Sequence, residues 1–243
     1  MGHVTVVGGC RAKAPSTGIL ASTLPVGSMV KLMENGAAVE YLVVNQGIPS
    51  NSNLYDASCD GTWLLRKDIH SNRQWHTSNV NKYETSAINT WLNGDFFNSL
   101  GSVERATVKQ VKIPYRSGGG SDGSDQSGAN GLLCKIFLLG GYELGWTASD
   151  DGDFPEDGAK LDYFTSGTTT SANNKRIAYL SGMDTIWWLR SPSTDNAGRV
   201  WFVRSDGDYG DYGASDSDGI RPALVIPKTA LFDASTLILK GVA

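Results

Sequence analysis

Along the first hundred residues, apolar and polar positions alternate with a period of two before they shift to a helical period. Val30 and Leu32, then Val39, Tyr41 and Val43, alternate on either side of Asn35-Gly36. That pattern predicts a β-hairpin, with Asn-Gly as its tight turn. Thr62-Trp-Leu-Leu-Arg66 predicts a third strand. The period changes within Glu84–Leu100. There Ile88, Trp91 and Leu92 fall at i, i+3 and i+4, one apolar stripe of a helix. Thr85 is placed to cap it, and Asn93-Gly94 is expected to end it. Phe96, Phe97 and Leu100 predict a second short helix on the same core. Val111, Ile113 and Tyr115 alternate as a strand within Val108–Tyr115. Beyond them come an apolar run over Leu132–Leu139, a helical turn over Tyr142–Trp146, and a terminal strand or partner-binding tail over Leu231–Leu239. Short strands, few helices and long irregular connections predict a compact α+β domain.

Two apolar blocks near the end of the chain organise the rest. Trp187-Trp-Leu-Arg-Ser-Pro192 and Gly219-Ile-Arg-Pro-Ala-Leu-Val-Ile226 each read as a buried strand carrying one arginine. Asp, Ser and Gly supply more than half of residues 191–218 between them. Such residues form turns and do not build cores. Aromatics and arginines interrupt this run, and those types carry recognition energy at surfaces. The candidate contact set is therefore Arg199, Phe202, Arg204, Asp208, Tyr209, Asp211, Tyr212, Asp216 and Asp218, around Trp201 as a fixed strand residue. Five Asp against two Arg between Arg199 and Asp218 give a local charge of −3, which steers towards a basic or amide-rich partner and weakens with salt.

Composition narrows the function. The net charge of −4 argues against binding a phosphate backbone, so no nucleic-acid partner is expected. No apolar run is long enough to span a bilayer, and no membrane insertion is expected. Met1–Gly9 lacks the charged start and apolar region of a signal peptide. Residues 1–23, rich in Gly, Ala, Ser and Thr with a strand candidate at Val4–Val7, read as an arm, a linker or a frayed terminus. The ligand-binding domain is expected over 24–243. Cys10, Cys59 and Cys134 have neither paired zinc spacing nor a disulfide framework and read as buried thiols.

Catalytic chemistry finds few candidates. There is no nucleophile elbow, phosphate loop or His-Glu-x-x-His. His70 and His76 lie in a polar segment and read as exposed loop histidines. Asp206 and Asp208 could serve a glycosidase as paired carboxylates, although alternate Asp residues on a strand fit contact residues better. Ser149–Asp157 holds five carboxylates; such an oxygen-rich loop can hold Ca2+, but the spacing is not that of an EF-hand. A solvated acidic loop without a metal or cofactor is the expectation. Arg190 and Arg221 sit inside apolar blocks, where an unpaired charge is costly. They are expected to bond carbonyls or carboxylates and fix the loop bases, or one of them to reach a ligand.

Trp-Trp-Leu-Arg-Ser-Pro followed by Gly-Ile-Arg-Pro-Ala-Leu resembles the C-terminal signature of a family of gut bacteria and their phages. That family is similar to the C-type-lectin-fold variable proteins of diversity-generating retroelements. The closing Gly-Ile-Arg-Pro also resembles the end of formylglycine-generating-enzyme-like lectin folds. The resemblance runs from about Leu24, with its specific part at 187–226. It implies a small twisted antiparallel sheet, one or two flanking helices and long irregular loops. It also implies a receptor-binding protein with a hypervariable patch at about 191–218, located in a virion (phage tail) or at a bacterial cell surface. The partner would be a host cell-surface protein or glycan. In such systems asparagine codons are rewritten at their adenines, which cannot yield Lys, Glu, Gln, Met or Trp. Only Trp201 in 191–218 lies outside the reachable set. Formylglycine-generating enzymes work through cysteine, and no cysteine follows Cys134, so the chain is expected not to be an enzyme. The rival readings are a structural virion protein whose loops make the contacts of a homo-oligomer, a trimer, and an enzyme of formylglycine-generating or glycan-processing type.

Overall fold

The computed structural model describes residues 18–50 and 52–243. The strand candidate Val4–Val7 and Cys10 lie outside the described residues. Asn35 and Gly36 both have positive φ, 48° and 80°, as the tight turn of a right-twisted hairpin requires. They join Met29–Glu34 to Ala37–Gln46 with Glu34 opposite Ala37. Val30, Leu32, Tyr41 and Val43 are all fully buried. Thr62–Arg66 adds to this hairpin, then Ala223–Ile226, then Ile136–Phe137, completing a five-stranded antiparallel sheet.

A second five-stranded sheet runs in the order Tyr209–Gly213, Arg199–Val203, Trp187–Pro192, Ser217–Gly219, Asn72–Gln74. Its one parallel pairing sets Trp187 beside Gly219. The two arginine-bearing blocks thus enter different sheets, and Gly219–Pro222 passes from one sheet to the other. A third sheet joins Gly18–Leu20, Ala230–Asp233 and Leu239–Val242. The tail therefore closes on its own chain, and Gly18–Leu20, on the arm side of the expected boundary, belongs to the folded body.

The helical region differs from expectation in two ways. Ser86, not Thr85, caps it, its Oγ accepting from Asn89 N at 3.1 Å. Asn93-Gly94 does not end it; the chain continues through a π-turn over Leu92–Phe96 into Phe97–Ser99. The reason is a side chain. Asn93 Oδ1 accepts from Lys135 N at 2.8 Å, and its Nδ2 donates both to Ile136 O at 2.9 Å and to Asn89 O at 3.1 Å, so it ties its own helix to a neighbouring strand. The extra residue in the turn keeps Leu92 and Phe96 both buried. Pro114 splits the expected strand at 108–115 into Val111–Ile113 and Tyr115–Ser117. A short strand, Ser124–Gln126, pairs antiparallel with Tyr115–Ser117. Neither histidine is a free loop residue. His70 packs edge-on against Trp91 and Phe96 at 5.3 Å, and its burial, then the Arg66 charge, lowers its pKa. His76 Nδ1 accepts from Ala87 N at 3.1 Å. Among the described residues, no helix is long and apolar enough to cross a membrane.

Candidate functional site

Trp187–Pro192 is buried along its whole length. Such a strand must satisfy every polar group internally, and Arg190 shows how. Its Nε donates to Pro114 O at 3.0 Å, and Nη1 donates to Leu138 O at 2.9 Å and Glu143 Oε2 at 2.6 Å. Nη2 donates to Asp157 O. Burial works against the Arg190 charge, and Glu143 and Asp157 outweigh it, so its pKa stands above the usual guanidinium value. Ser191 Oγ donates to Asp157 Oδ2 at 2.7 Å and accepts from Gly141 N at 2.8 Å. Burial raises the Asp157 carboxyl to about 7, against the pull of Arg190 and Ser191. Tyr55 closes the knot, donating to Glu143 Oε1 at 3.0 Å. Gly158 lets these groups meet: a Cβ there would lie 2.8 Å from Glu143 Cγ and 3.0 Å from the Tyr55 hydroxyl.

The acidic loop lies against the next strands outward. Phe154 stacks on Trp201 with ring centres 4.1 Å apart, and Tyr209 meets Trp146, Phe154 and Trp201 edge-on. Trp201 Nε1 donates to Asp153 O at 3.2 Å, and the Tyr209 hydroxyl donates to Asp150 O at 2.8 Å. Two of the loop's carboxylates serve nearby backbone: Asp150 accepts from Thr147 N and Asp151 from Asp153 N. Among the described residues, no group of three His, Cys, Asp or Glu side chains is arranged to hold a metal ion.

The candidate contacts do not form one patch, because strand side chains alternate between faces. Arg199, Trp201, Tyr209 and Asp211 share the face that meets the acidic loop. Arg199 Nη1 pairs there with Asp211 at 3.2 Å. Phe202 and Tyr212 share the opposite face, ring centres 4.4 Å apart. Trp201 and Phe202 are buried, whereas Tyr212 is 45% exposed. Phe202 and Tyr212 wall a cavity of about 370 Å3 together with Arg204, Asp211 and Ile186. Arg204 is exposed. Asp208 is half-buried in the tight turn 204–208 and accepts from Tyr209 N at 2.9 Å. Asp216 is exposed in the turn after Gly213. Asp218 sits three strands away from Tyr209–Gly213, opposite Arg73, where burial and then Asp216 raise its pKa.

The sequence reading missed several supports of this surface. Asn81, fully buried, donates through Nδ2 to Asn196 O at 2.8 Å and Arg199 O at 2.7 Å. Asn79 Oδ1 accepts from Ser215 N at 3.0 Å. Both come from a polar segment with no periodic signal, more than a hundred residues from their partners. Gly207, at φ 82°, presses on the short helix Thr170–Asn174; a Cβ there would lie 2.1 Å from Asn173 O. Between that helix and Ser205-Asp206 opens a second cavity of about 520 Å3.

Comparison with curated proteins and with solved structures finds no match. A family model described as "Domain of unknown function (DUF6273)" matches residues 60–228. That span contains the arginine knot apart from Tyr55, the aromatic layer and the edge strand. It covers more than half of the 243 residues, and the chain belongs to this DUF6273 family.

Proposed function

We propose that the protein is a ligand-binding, receptor-recognition module whose contact surface is the outer edge of the second sheet, in the manner of a phage receptor-binding (tail) protein. One observation carries the reading. Tyr212, exposed on the edge strand Tyr209–Gly213, lies over Phe202 at the rim of a cavity with Arg204 and Asp211 beside it. An exposed aromatic with few rotatable bonds beside an arginine is the composition of a contact site, while the Asp211 carboxylate turns to the other face and Arg199. The arginine knot and the aromatic layer hold its base, so side chains above it can differ while the strands stay in place. A C-type-lectin-like arrangement and diversification of 191–218 belong to the same proposal, with the anchored Trp201 as its invariant position. The partner is a host cell-surface protein or glycan, the setting a virion or cell surface, and no catalytic step is involved.

The test is binding of the labelled full chain to bacterial cell surfaces across a salt series, with Tyr212→Ala and Arg204→Ala beside wild type. Binding that weakens with salt and is lost in both variants supports a charged protein partner. Salt-insensitive binding that simple sugars abolish assigns a glycan stacked on Tyr212. Binding indifferent to both substitutions removes this edge from the site. Diversification has its own test in the neighbouring DNA: a reverse-transcriptase gene and a near-copy of the 3′ coding segment differing at adenines.

A further inference from the structure

Three arginines lie in the interior, and they are not equivalent. Arg190 is saturated by three carbonyls and a carboxylate. Arg176 is likewise engaged: Nε donates to Leu144 O at 3.1 Å, Nη1 to Asn173 Oδ1 at 3.0 Å, and Nη2 to Thr165 O at 2.6 Å. Arg221, 3% exposed, makes one hydrogen bond, from Nε to Arg66 O at 2.9 Å, and lies 5.0 Å over the Trp187 ring. Its Nη1 is buried with no partner, and no ion pair reaches it among the described residues. A buried guanidinium with no ion pair and one nitrogen without an acceptor is costly unless something supplies them.

Arg221 also lines a cavity of about 140 Å3. Met29, Leu42 and Ile177 give that cavity apolar walls. Lys67, Lys175 and Asp68 supply its other charges, so the lining carries three cations against one anion. Lys67 is partly neutralised by Glu40 at 2.7 Å, which still leaves the lining positive. Arg66 holds both the backbone and the head: Arg66 N donates to Pro222 O at 2.9 Å, and Arg66 O accepts from Arg221 Nε. A preorganised guanidinium fork at one end of an apolar hole matches a planar carboxylate with an apolar body. The volume is close to that of cavities of about 150 Å3 that hold one benzene.

We propose that this cavity is a second binding site, for a small organic acid whose carboxylate takes the Arg221 guanidinium and whose apolar part lies between Met29, Leu42 and Ile177. The site is separate from the Tyr212 edge, and its test does not depend on that reading.

The experiment titrates the full chain with acetate, butyrate and benzoate, with benzamide and sulfate as controls. Melting temperature and the arginine side-chain 15N signals are followed. Saturable stabilisation should grow from acetate to benzoate, shift one arginine signal, and be roughly ten-fold or more weaker with benzamide, which lacks the charge. Arg221→Met should abolish it. Ile177→Trp, which fills the hole and leaves Arg221 in place, should abolish it as well and decides the matter if Arg221→Met does not fold. Equal effects of benzoate and benzamide, an effect of sulfate but not benzoate, no saturable response to any acid, or binding that survives Ile177→Trp would each overturn the proposal.

Discussion

Trp187–Pro192 and Tyr209–Gly213 belong to one sheet, with a single strand between them, yet they hold their side chains on different terms. The inner strand is dry: its indoles are fully buried, and Arg190 has a partner at each guanidinium nitrogen. The outer strand is neighboured on one side only and turns Tyr212 to solvent. Between them, Arg199–Val203 faces both ways, with Trp201 under the acidic loop and Phe202 under Tyr212. A surface built so can change at its rim without disturbing the knot two strands away. The acidic loop takes part in this division through Phe154 and two carbonyls, which makes it support for the strands.

The sharpest break of this contrast is at the knot. Arg190→Met leaves Glu143 and Asp157 buried without their counter-charge and is expected to cost about 3–5 kcal/mol, read from the denaturant midpoint. Trp188→Ala belongs in the same range, about 3–5 kcal/mol, since the indole is fully buried. Wild-type midpoints in both would mean that the inner strand is not the anchor. Gly158→Ala pushes a methyl against Glu143 and Tyr55 and should cost about 1–3 kcal/mol.

The knot should also respond to pH. Asp157 is raised from 3.8 to about 7, so in that window the folded state holds a proton the unfolded state has released. Its contribution is complete at low pH and is lost as the pH rises towards 7. Stability measured across that range should fall more steeply in wild type than in Asp157→Asn; parallel curves would show that Asp157 does not titrate there.

At the outer strand the two tyrosines should separate. Tyr209→Phe loses the bond to Asp150 O and is expected to cost about 0.5–1.5 kcal/mol. Tyr212→Ala and Arg204→Ala should stay within about ±0.5 kcal/mol while binding is lost. Equal stability losses at Tyr209 and Tyr212 would erase the distinction between support and contact.

Local chemistry made much of the molecule readable. The Asn35-Gly36 turn, the period-two strands around it, the apolar stripe of Ile88, Trp91 and Leu92, and the two buried arginine blocks depend on neighbours a few residues apart, so they appear in the chain as pattern. The exposed polar rim at Arg204, Tyr212 and Asp216 follows from the same Asp, Ser and Gly richness. Tertiary structure alone decided the rest. It placed the two arginine blocks in different sheets and carried the helix past Asn93-Gly94. It also set Tyr209 and Tyr212 on opposite faces of one strand and gave Arg190 a full shell while leaving Arg221 Nη1 without a partner. Each outcome turns on contacts between residues far apart in the chain, such as Asn93 with Ile136, Tyr209 with Asp150 and Arg190 with Pro114. Pairings of that kind leave no periodic trace, because which distant group meets a side chain is set only when the sheets pack.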